Sequence, residues 1–280
     1  MIIKTFEFKN NINELVKGDL YFKEKSGKFP LILMLHSFKS WRKWGFMPYF
    51  SEKLSEKNAI VLNIDHSLNG IIDENAPFFD SDKFSRQTTS QYIDDAFQTI
   101  QKFRNGEIDK DILENWNGQI YLIGHSLGAA VSLLIHNKYK NIDKIVILGG
   151  IAKLDRNTDR QKQIWKEQGY VDVRIAINNQ VLKLNYSHVE DKNKYSKNIL
   201  IEIMNDCRIP VLIVHGGLDM TVKKQEAIDL YNASKDKSIT ELEIIEKTGH
   251  TFGVDFKFSK TNDALEKTIE KTINFLNIND

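Results

Sequence analysis

The chain switches repeatedly between short apolar runs and longer segments in which apolar residues recur every three or four positions. This alternation is typical of βα units around a parallel sheet, because strands covered on both faces are apolar at successive positions. Two alternating segments near the N-terminus, 2–9 and 15–24, predict a hairpin at one edge of that sheet. Six apolar runs predict its other strands, at residues 31–35, 59–64, 120–123, 145–148, 211–214 and 242–245.

The segments between these runs have the period of amphipathic helices. Ser90 is the predicted N-cap of one of them, at 91–104. The predicted helices cover residues 46–57, 91–104, 127–139, 222–232 and about 262–276. The sequence therefore predicts an α/β fold with a mostly parallel central sheet and helices on both faces.

One stretch, after the apolar run at 145–148, breaks the alternation. It holds a charged helical piece around Trp165, two strand-like segments joined by Asn178-Asn179, and a helical pattern over 194–204. Asparagine tolerates positive φ, which suits the tight turn of a β-hairpin. We therefore predict a single domain over residues 1–280, with a small insertion at about 152–209 that packs over one edge of the sheet as a cap or lid.

Composition narrows the class of protein. The 39 Lys and Arg residues balance 38 Asp and Glu residues, which argues against a nucleic-acid partner. A hydrophobic content of 41% excludes a mainly disordered chain, and Cys207, the lone cysteine, excludes an intramolecular disulfide. The N-terminus lacks a signal-peptide pattern and no apolar run approaches the roughly 20 residues of a membrane span. We expect a cytoplasmic protein without a membrane span.

The motif Gly124-His125-Ser126-Leu127-Gly128 lies between a predicted strand and a predicted helix. In this context two glycines relieve crowding at a sharp turn that lifts the serine hydroxyl into the open. The helix N-terminus then presents backbone N–H groups beside the reacting atom. Ser126 is therefore the candidate nucleophile.

A serine nucleophile needs a base, and the base needs an orienting carboxylate. His250, in Thr248-Gly-His-Thr-Phe252, is the candidate base, and Asp219 follows the strand at 211–214. Loops at the carboxyl ends of parallel strands meet in one crevice, so these side chains can meet Ser126 there. Asp155, just beyond the run at 145–148, is the alternative acid.

Four segments carry a resemblance to a known family: His36-Ser-Phe38, Gly124-His-Ser-Leu-Gly128, His215-Gly-Gly-Leu-Asp219 and Gly249-His250. They resemble the α/β-hydrolases, in particular small serine esterases of the cinnamoyl/feruloyl-esterase and dienelactone-hydrolase-like type. Their order and their spread over nearly the whole chain match that family. The resemblance implies the α/β-hydrolase fold, a Ser-His-Asp acyl-enzyme mechanism, and a cap in the place of the predicted insertion.

In such a fold, the backbone N–H groups of Phe38 and Leu127 are the expected oxyanion-hole donors. One position departs from the pattern, because the family usually has glycine where this chain has Ser37. If the position requires positive φ, serine is strained there. The alternative is that the Ser37 hydroxyl faces the oxyanion.

The remaining histidines show no metal-ligand spacing, and no phosphate-binding glycine loop is present, so we predict neither a metal nor a cofactor. His36 and His215 are expected to tie loops together, and His125 to pack beneath the nucleophile. Three tryptophans either line an aromatic pocket or belong to the core, namely Trp41, Trp44 and Trp165. Arg86 lies in a polar loop, with an alternative role facing an acidic substrate group.

The sequence as a whole predicts a metal-independent serine hydrolase that cleaves small-molecule carboxylic esters. Alternatives on the same fold are a small peptidase, a thioesterase and an acyltransferase. A non-catalytic ligand-binding protein on a hydrolase scaffold is an alternative of another class.

Overall fold

A mostly parallel sheet forms the centre of the computed structural model, which describes residues 1–24, 26–74 and 77–278. In chain order the strands are β1 (Ile2–Lys9), β2 (Leu15–Phe22), β3 (Phe29–Leu35), β4 (Ile60–Ile64), β5 (Ile71–Asp73), β6 (Phe78–Phe79), β7 (Trp116–His125), β8 (Lys144–Leu148), β9 (Tyr170–Arg174), β10 (Val181–Asn185), β11 (Val211–Gly216) and β12 (Thr240–Ile245). The helices are α1 (Met47–Ser55), α2 (Ser81–Ser85), α3 (Thr89–Arg104), α4 (Lys110–Leu113), α5 (Leu127–Tyr139), α6 (Asp159–Gln168), α7 (Ser187–Lys192), α8 (Ile199–Asp206), α9 (Lys224–Ala233) and α10 (Asp263–Leu276).

The main sheet has the strand order β1-β2-β4-β3-β7-β8-β11-β12. Strand β2 pairs antiparallel with both β1 and β4, and the pairings from β4 to β12 are parallel. The predicted fold class is therefore confirmed, and so are the N-terminal hairpin and the six apolar strands. Strand β7 begins at Trp116, earlier than the predicted 120–123; the prediction missed its start because residues 117–119 are exposed and polar.

Both faces of this sheet are covered by helices, which explains the continuous apolar runs. In β3, Leu31 and Leu33 pack into one core and Ile32 and Met34 into another, because successive side chains point to opposite faces. Helices α3, α5, α8 and α9 supply the first core, and α1 and α10 supply the second. The sheet is held from both sides, and its carboxyl edge is left for the loops.

A third apolar cluster lies apart from these two cores. It joins two chain segments: β5, β6 and α2 in one, and α6, β9, β10 and α7 in the other; we call these elements the roof. The buried residues of this cluster are Trp41, which lies in the loop after β3, and Phe79, Phe84, Trp165, Ile175, Leu182, Leu184 and Val189. The roof thus includes a segment before α3 that lies outside the insertion predicted from the sequence.

Of three local expectations, two were wrong and one is confirmed. The N-cap of α3 is Thr88, whose Oγ1 accepts the Gln91 N–H, while the Ser90 N–H is bonded to the Asp191 carboxylate at 2.8 Å. The helix expected over 194–204 begins only at Ile199, and α8 packs on α5 and α9 rather than in the roof. The Asn178-Asn179 turn does join a hairpin, with Asn179 at φ 60°.

Within the described ranges, we find no helix that combines the length and the apolar character needed to cross a bilayer.

Candidate active site

Ser126 lies between the end of β7 and the first residue of α5, with φ 55° and ψ −111°. A residue other than glycine rarely adopts this backbone region, and such strain concentrates at functional sites. The turn is tight enough to require both neighbouring glycines. A Cβ on Gly124 would lie 2.2 Å from the Gly128 oxygen, and one on Gly128 would lie 2.2 Å from the Leu35 oxygen. The motif therefore presses the start of α5 against the ends of β3 and β7.

Asp219 and His250 form a hydrogen-bonded pair in the loops that follow β11 and β12. Asp219 Oδ2 lies 2.7 Å from His250 Nδ1, and its other oxygen accepts the N–H groups of Thr221 and Val222, each at 2.8 Å. His215 Nε2 lies 3.3 Å from Oδ2. Because the carboxylate only accepts, Nδ1 of His250 carries the proton and Nε2 is left as the free ring nitrogen.

The Asp219 carboxyl is ionised at neutral pH. Burial of its side chain acts to raise its pKa, but the hydrogen bonds from His215, His250 and the Val222 N–H outweigh burial and hold the pKa well below its usual range. A fixed negative charge therefore lies beside His250. Such a charge stabilises the ring when it takes up a second proton.

His125 is buried beside this pair. Its Nε2 lies 3.0 Å from the His250 carbonyl oxygen, and the two ring centroids are 4.8 Å apart. Burial lowers the pKa of His125 to about 3, and the neighbouring His250 adds to the effect. His125 is therefore neutral and donates a hydrogen bond that holds the His250 backbone.

A cavity of about 720 Å³ lies between the carboxyl edge of the sheet and the roof. Ser126 and His250 both line it, although the described structure contains no hydrogen bond between Ser126 Oγ and the His250 ring. In unliganded sites such bonds are often long and tighten only when substrate binds. The roof contributes apolar side chains to the cavity, among them Trp165, Val171, Val173, Ile175, Ile177 and Leu184.

Phe38 and Leu127 line the same cavity. Leu127 is the first residue of α5, so its N–H has no acceptor within the helix and lies at the positive end of the helix dipole. In the loop after β3, positive φ falls on Lys39, at 61°, and not on Ser37. Ser37 therefore does not have the backbone strain that a positive φ would cause. The residue lines the cavity.

The loop after β3 is anchored by Arg42, whose side chain is 4% exposed. Its guanidinium pairs with Asp19 of β2 at 2.9 Å and also with Asp65 and Glu74. Its N–H donates to Asp65 at 2.7 Å, and the amide of Asn63 donates to its carbonyl at 2.8 Å. Burial raises the pKa of Asp65 to about 6 against the opposing charge of Arg42. The sequence did not reveal this cluster, because its members are far apart in the chain.

Contacts in the structure decide between several alternatives that the sequence left open. Asp155 bonds to Lys162 at 2.8 Å and to no histidine among the described residues. Arg86 pairs with Glu14 and Asp82, and it does not line the cavity. Of the tryptophans, Trp44 and Trp165 line the cavity, whereas Trp41 is buried in the roof cluster.

The loop-tying role expected of two histidines is confirmed. His36 Nδ1 bonds to the Ser37 carbonyl at 2.8 Å, and its Nε2 accepts the His66 N–H at 3.2 Å. His215 Nε2 lies 2.9 Å from the Val222 carbonyl. Both rings therefore hold the loops that frame the cavity.

The strand order, the single antiparallel inner strand and the serine turn at the sheet's carboxyl edge define the class of this protein: it is an α/β-hydrolase. Residues 113–258 match the family described as BAAT / Acyl-CoA thioester hydrolase C terminal. This match covers more than half of the chain, and the protein belongs to that family. Ser126, Asp219 and His250 all fall within the matched residues.

Solved structures share the fold at low sequence identity. The α/β hydrolase GrgF from Penicillium sp. sh18 has a TM-score of 0.74 and 16% identity, with 99% of this chain and 98% of that chain covered. Est1E from Butyrivibrio proteoclasticus, with ferulic acid bound, has a TM-score of 0.72 and 17% identity, with 97% of each chain covered. The esterase Pf2001 from Pyrococcus furiosus has a TM-score of 0.63 and 18% identity, with 99% of this chain and 92% of that chain covered. No curated protein sequence matches this chain.

Proposed function

We propose that this hydrolase cleaves small-molecule carboxylic esters through an acyl-enzyme, with Ser126 as nucleophile, His250 as general base and Asp219 as the orienting carboxylate. One observation carries the proposal. A serine on a strained strand-to-helix turn lines the same cavity as a histidine whose Nδ1 is bonded to a buried, ionised aspartate. The bonded aspartate and histidine are the part of a serine triad that orients the base, and a bond from Ser126 Oγ to His250 Nε2 would complete it when substrate binds.

In the first step, His250 Nε2 takes the proton from Ser126 Oγ while Oγ forms a bond to the ester carbonyl carbon. The carbonyl π electrons move onto its oxygen, which becomes the oxyanion of a tetrahedral intermediate. The imidazolium keeps its Nδ1 proton directed at Asp219, 2.7 Å away. The negative carboxylate offsets the new positive charge without taking the proton.

The backbone N–H groups of Phe38 and Leu127 are the proposed donors to that oxyanion. The position of Leu127 at the start of α5 supports its role, because the helix N-terminus favours negative charge. Phe38 lies on the facing loop, which Arg42 anchors through its N–H bond to Asp65. Donors held in place before reaction cost no reorganisation when the charge develops.

Collapse of the intermediate breaks the bond to the alcohol oxygen, which receives the proton from His250 and leaves. The acyl group then remains on Ser126. A water molecule gives a proton to His250 and attacks the acyl carbon, and a second collapse returns the proton to Ser126 and releases the acid. The reaction consumes one water and needs neither a metal nor a cofactor.

We further propose that the chain acts as one domain in which the insertion predicted at about 152–209 serves as a cap, except for α8, which packs on the main sheet's helices. The roof elements α6, β9, β10 and α7 cover the cavity with apolar side chains and support this role. Such a cover excludes water from the reacting atoms and shapes the substrate pocket.

The family match favours a second candidate, hydrolysis of a thioester or transfer of its acyl group by the same acyl-enzyme route. Only the leaving group or the final acceptor differs between these reactions. A matched pair of substrates, p-nitrophenyl butyrate and a butyryl thioester, separates ester from thioester cleavage through the ratio of their kcat/KM values.

Labelling with a fluorophosphonate probe tests the proposal. We expect the wild-type protein to be labelled and Ser126→Ala to be unlabelled. The matched control is Ser196→Ala, which removes an exposed hydroxyl bonded to Glu202 and should retain full labelling. Labelling that survives in Ser126→Ala would place the nucleophile elsewhere. Folded wild-type protein that is never labelled would favour the ligand-binding alternative.

A further inference from the structure

The cavity above Ser126 has an apolar wall and a cationic end. The apolar wall follows from the alternation along β9 and the residues after it, because Val171, Val173 and Ile175 face the cavity while Asp172 and Arg174 are exposed. An uncharged chain or ring in this space is removed from water, which favours binding by roughly 25 cal/mol per Å² of apolar surface.

The cationic end centres on Lys192, the last residue of α7. Its side chain is half-buried and lines the cavity, and within the described ranges it forms neither a hydrogen bond nor an ion pair. The nearby acids have other partners, since Asp155 bonds to Lys162 and Asp191 bonds to Lys194. Burial lowers the pKa of Lys192 to about 8 against the opposing effect of Asp155, so the ammonium is mostly charged at neutral pH.

Arg156 and Asn157 line the cavity with Lys192. The Arg156 guanidinium is balanced by Glu226, 2.9 Å away, so Lys192 supplies the uncompensated charge at this end. Two further charged residues line the cavity, Lys39 and Asp255; both are exposed, and their charges are of opposite sign and cancel in the sum. An excess of about one positive charge, with an amide beside it, matches a monoanion.

We propose that the natural substrate is an ester with an apolar body and a carboxylate remote from the scissile carbonyl, and that Lys192, together with Arg156 and Asn157, binds this carboxylate. The proposal rests on the proposed ester hydrolysis, and it names the substrate class of the same site. A half-buried ammonium without a partner is costly to keep, and a substrate carboxylate provides the charge-assisted hydrogen bond that it lacks.

Two pairs of substrates test the proposal on both sides of the ester. The first pair is the p-nitrophenyl monoester of octanedioic acid and p-nitrophenyl octanoate. The second is the octanoate ester of para-hydroxybenzoate and that of its methyl ester. We expect the wild-type protein to prefer the charged member of one pair by about tenfold or more in kcat/KM, as one charge-assisted hydrogen bond provides.

In Lys192→Met this preference should fall about tenfold, whereas Lys192→Arg should retain it. Lys194→Met is the matched control, because Lys194 is an exposed lysine that pairs with Asp191 outside the cavity. A preference that survives unchanged in Lys192→Met, or a wild-type protein that prefers the neutral member of both pairs, would overturn the proposal.

A binding measurement separates this proposal from the proposed function. Calorimetry with the monoamide of octanedioic acid should give a Kd about tenfold weaker for Lys192→Met than for the wild-type protein. If that difference is found but no ester is hydrolysed, the carboxylate site stands and the ester-hydrolase proposal fails. If esters are hydrolysed but the two Kd values agree, the carboxylate site fails and the hydrolase proposal stands.

Discussion

The carboxylate of Asp219 and the ring of His250 are joined by a 2.7 Å hydrogen bond between Oδ2 and Nδ1, and the other oxygen of Asp219 is held by two backbone N–H groups. The backbone therefore holds the carboxylate of Asp219 in place independently of its bond to His250. This bond sets which ring nitrogen of His250 is free to face the cavity.

Asp219→Asn is expected to reduce kcat/KM for a p-nitrophenyl ester by about 10²–10⁴, because an amide N–H directed at Nδ1 selects the wrong tautomer of His250. Steady-state kinetics measure the effect. The matched control is Asp155→Asn, which breaks an ion pair with Lys162 and should leave kcat/KM near the wild-type value. The reverse pattern would make Asp155 the orienting acid.

Gly128→Ala is expected to destabilise the protein by about 1–3 kcal/mol, because the new Cβ would lie 2.2 Å from the backbone oxygen of Leu35. Urea unfolding measures the change. Gly249→Ala is the control, since the nearest atom to its Cβ is the Leu218 oxygen at 4.0 Å. Equal unfolding free energies for the two variants would show that the turn tolerates a side chain.

Arg42→Met is expected to lower the free energy of unfolding by about 3–5 kcal/mol, because it leaves the buried carboxylates of Asp19 and Asp65 without their cation. The control Arg86→Met breaks a partly exposed pair with Glu14 and should cost less than about 1 kcal/mol. The double variant Arg42→Met/Asp65→Asn should recover part of the loss. A small effect of Arg42→Met alone would contradict the anchoring role.

The protein is expected to lose stability as the pH falls from about 6.5 toward 4. Burial lowers the pKa of His36 to about 4, so in this window the unfolded chain binds a proton at His36 that the folded chain does not. The free energy of unfolding then falls by up to about 1.4 kcal/mol per pH unit from this group. His36→Gln keeps an amide donor and acceptor but does not titrate, so its unfolding free energy should depend less steeply on pH. Equal slopes for the two proteins would rule out His36 as the cause.

The sequence predicted the features that depend on local patterns. The predicted apolar runs are strands in the structure. Helix α5 covers Leu127–Tyr139 as expected, because neighbouring residues in the sequence carry both the glycine turn and the helical period. The roof segment around β6 was missed, since a strand of two residues has no period to recognise. Lys192 and Arg42 carried no signal, because charged residues acquire their surroundings only when distant segments meet.

The N-cap of α3 shows a different kind of limit. Thr88 and Ser90 both have the side-chain chemistry of a cap, and the backbone decides between them. The Ser90 N–H donates to the carboxylate of Asp191, a residue of the roof. A tertiary contact therefore accompanies the start of the helix after Thr88. Local propensity alone does not contain this contact.

The apolar cluster of the roof is separate from the two cores that pack on the sheet, so different residues support the catalytic side chains and the cavity wall. The two cores that flank the sheet hold Ser126, Asp219 and His250 at their positions, whereas α6, β9, β10 and α7 contribute a separate apolar part of the cavity wall. Exchanges along β9 or at Lys192 therefore alter what fits the cavity while the sheet keeps its packing. Natural or laboratory selection can therefore change the substrate specificity at these positions while the packing that stabilises the sheet is retained.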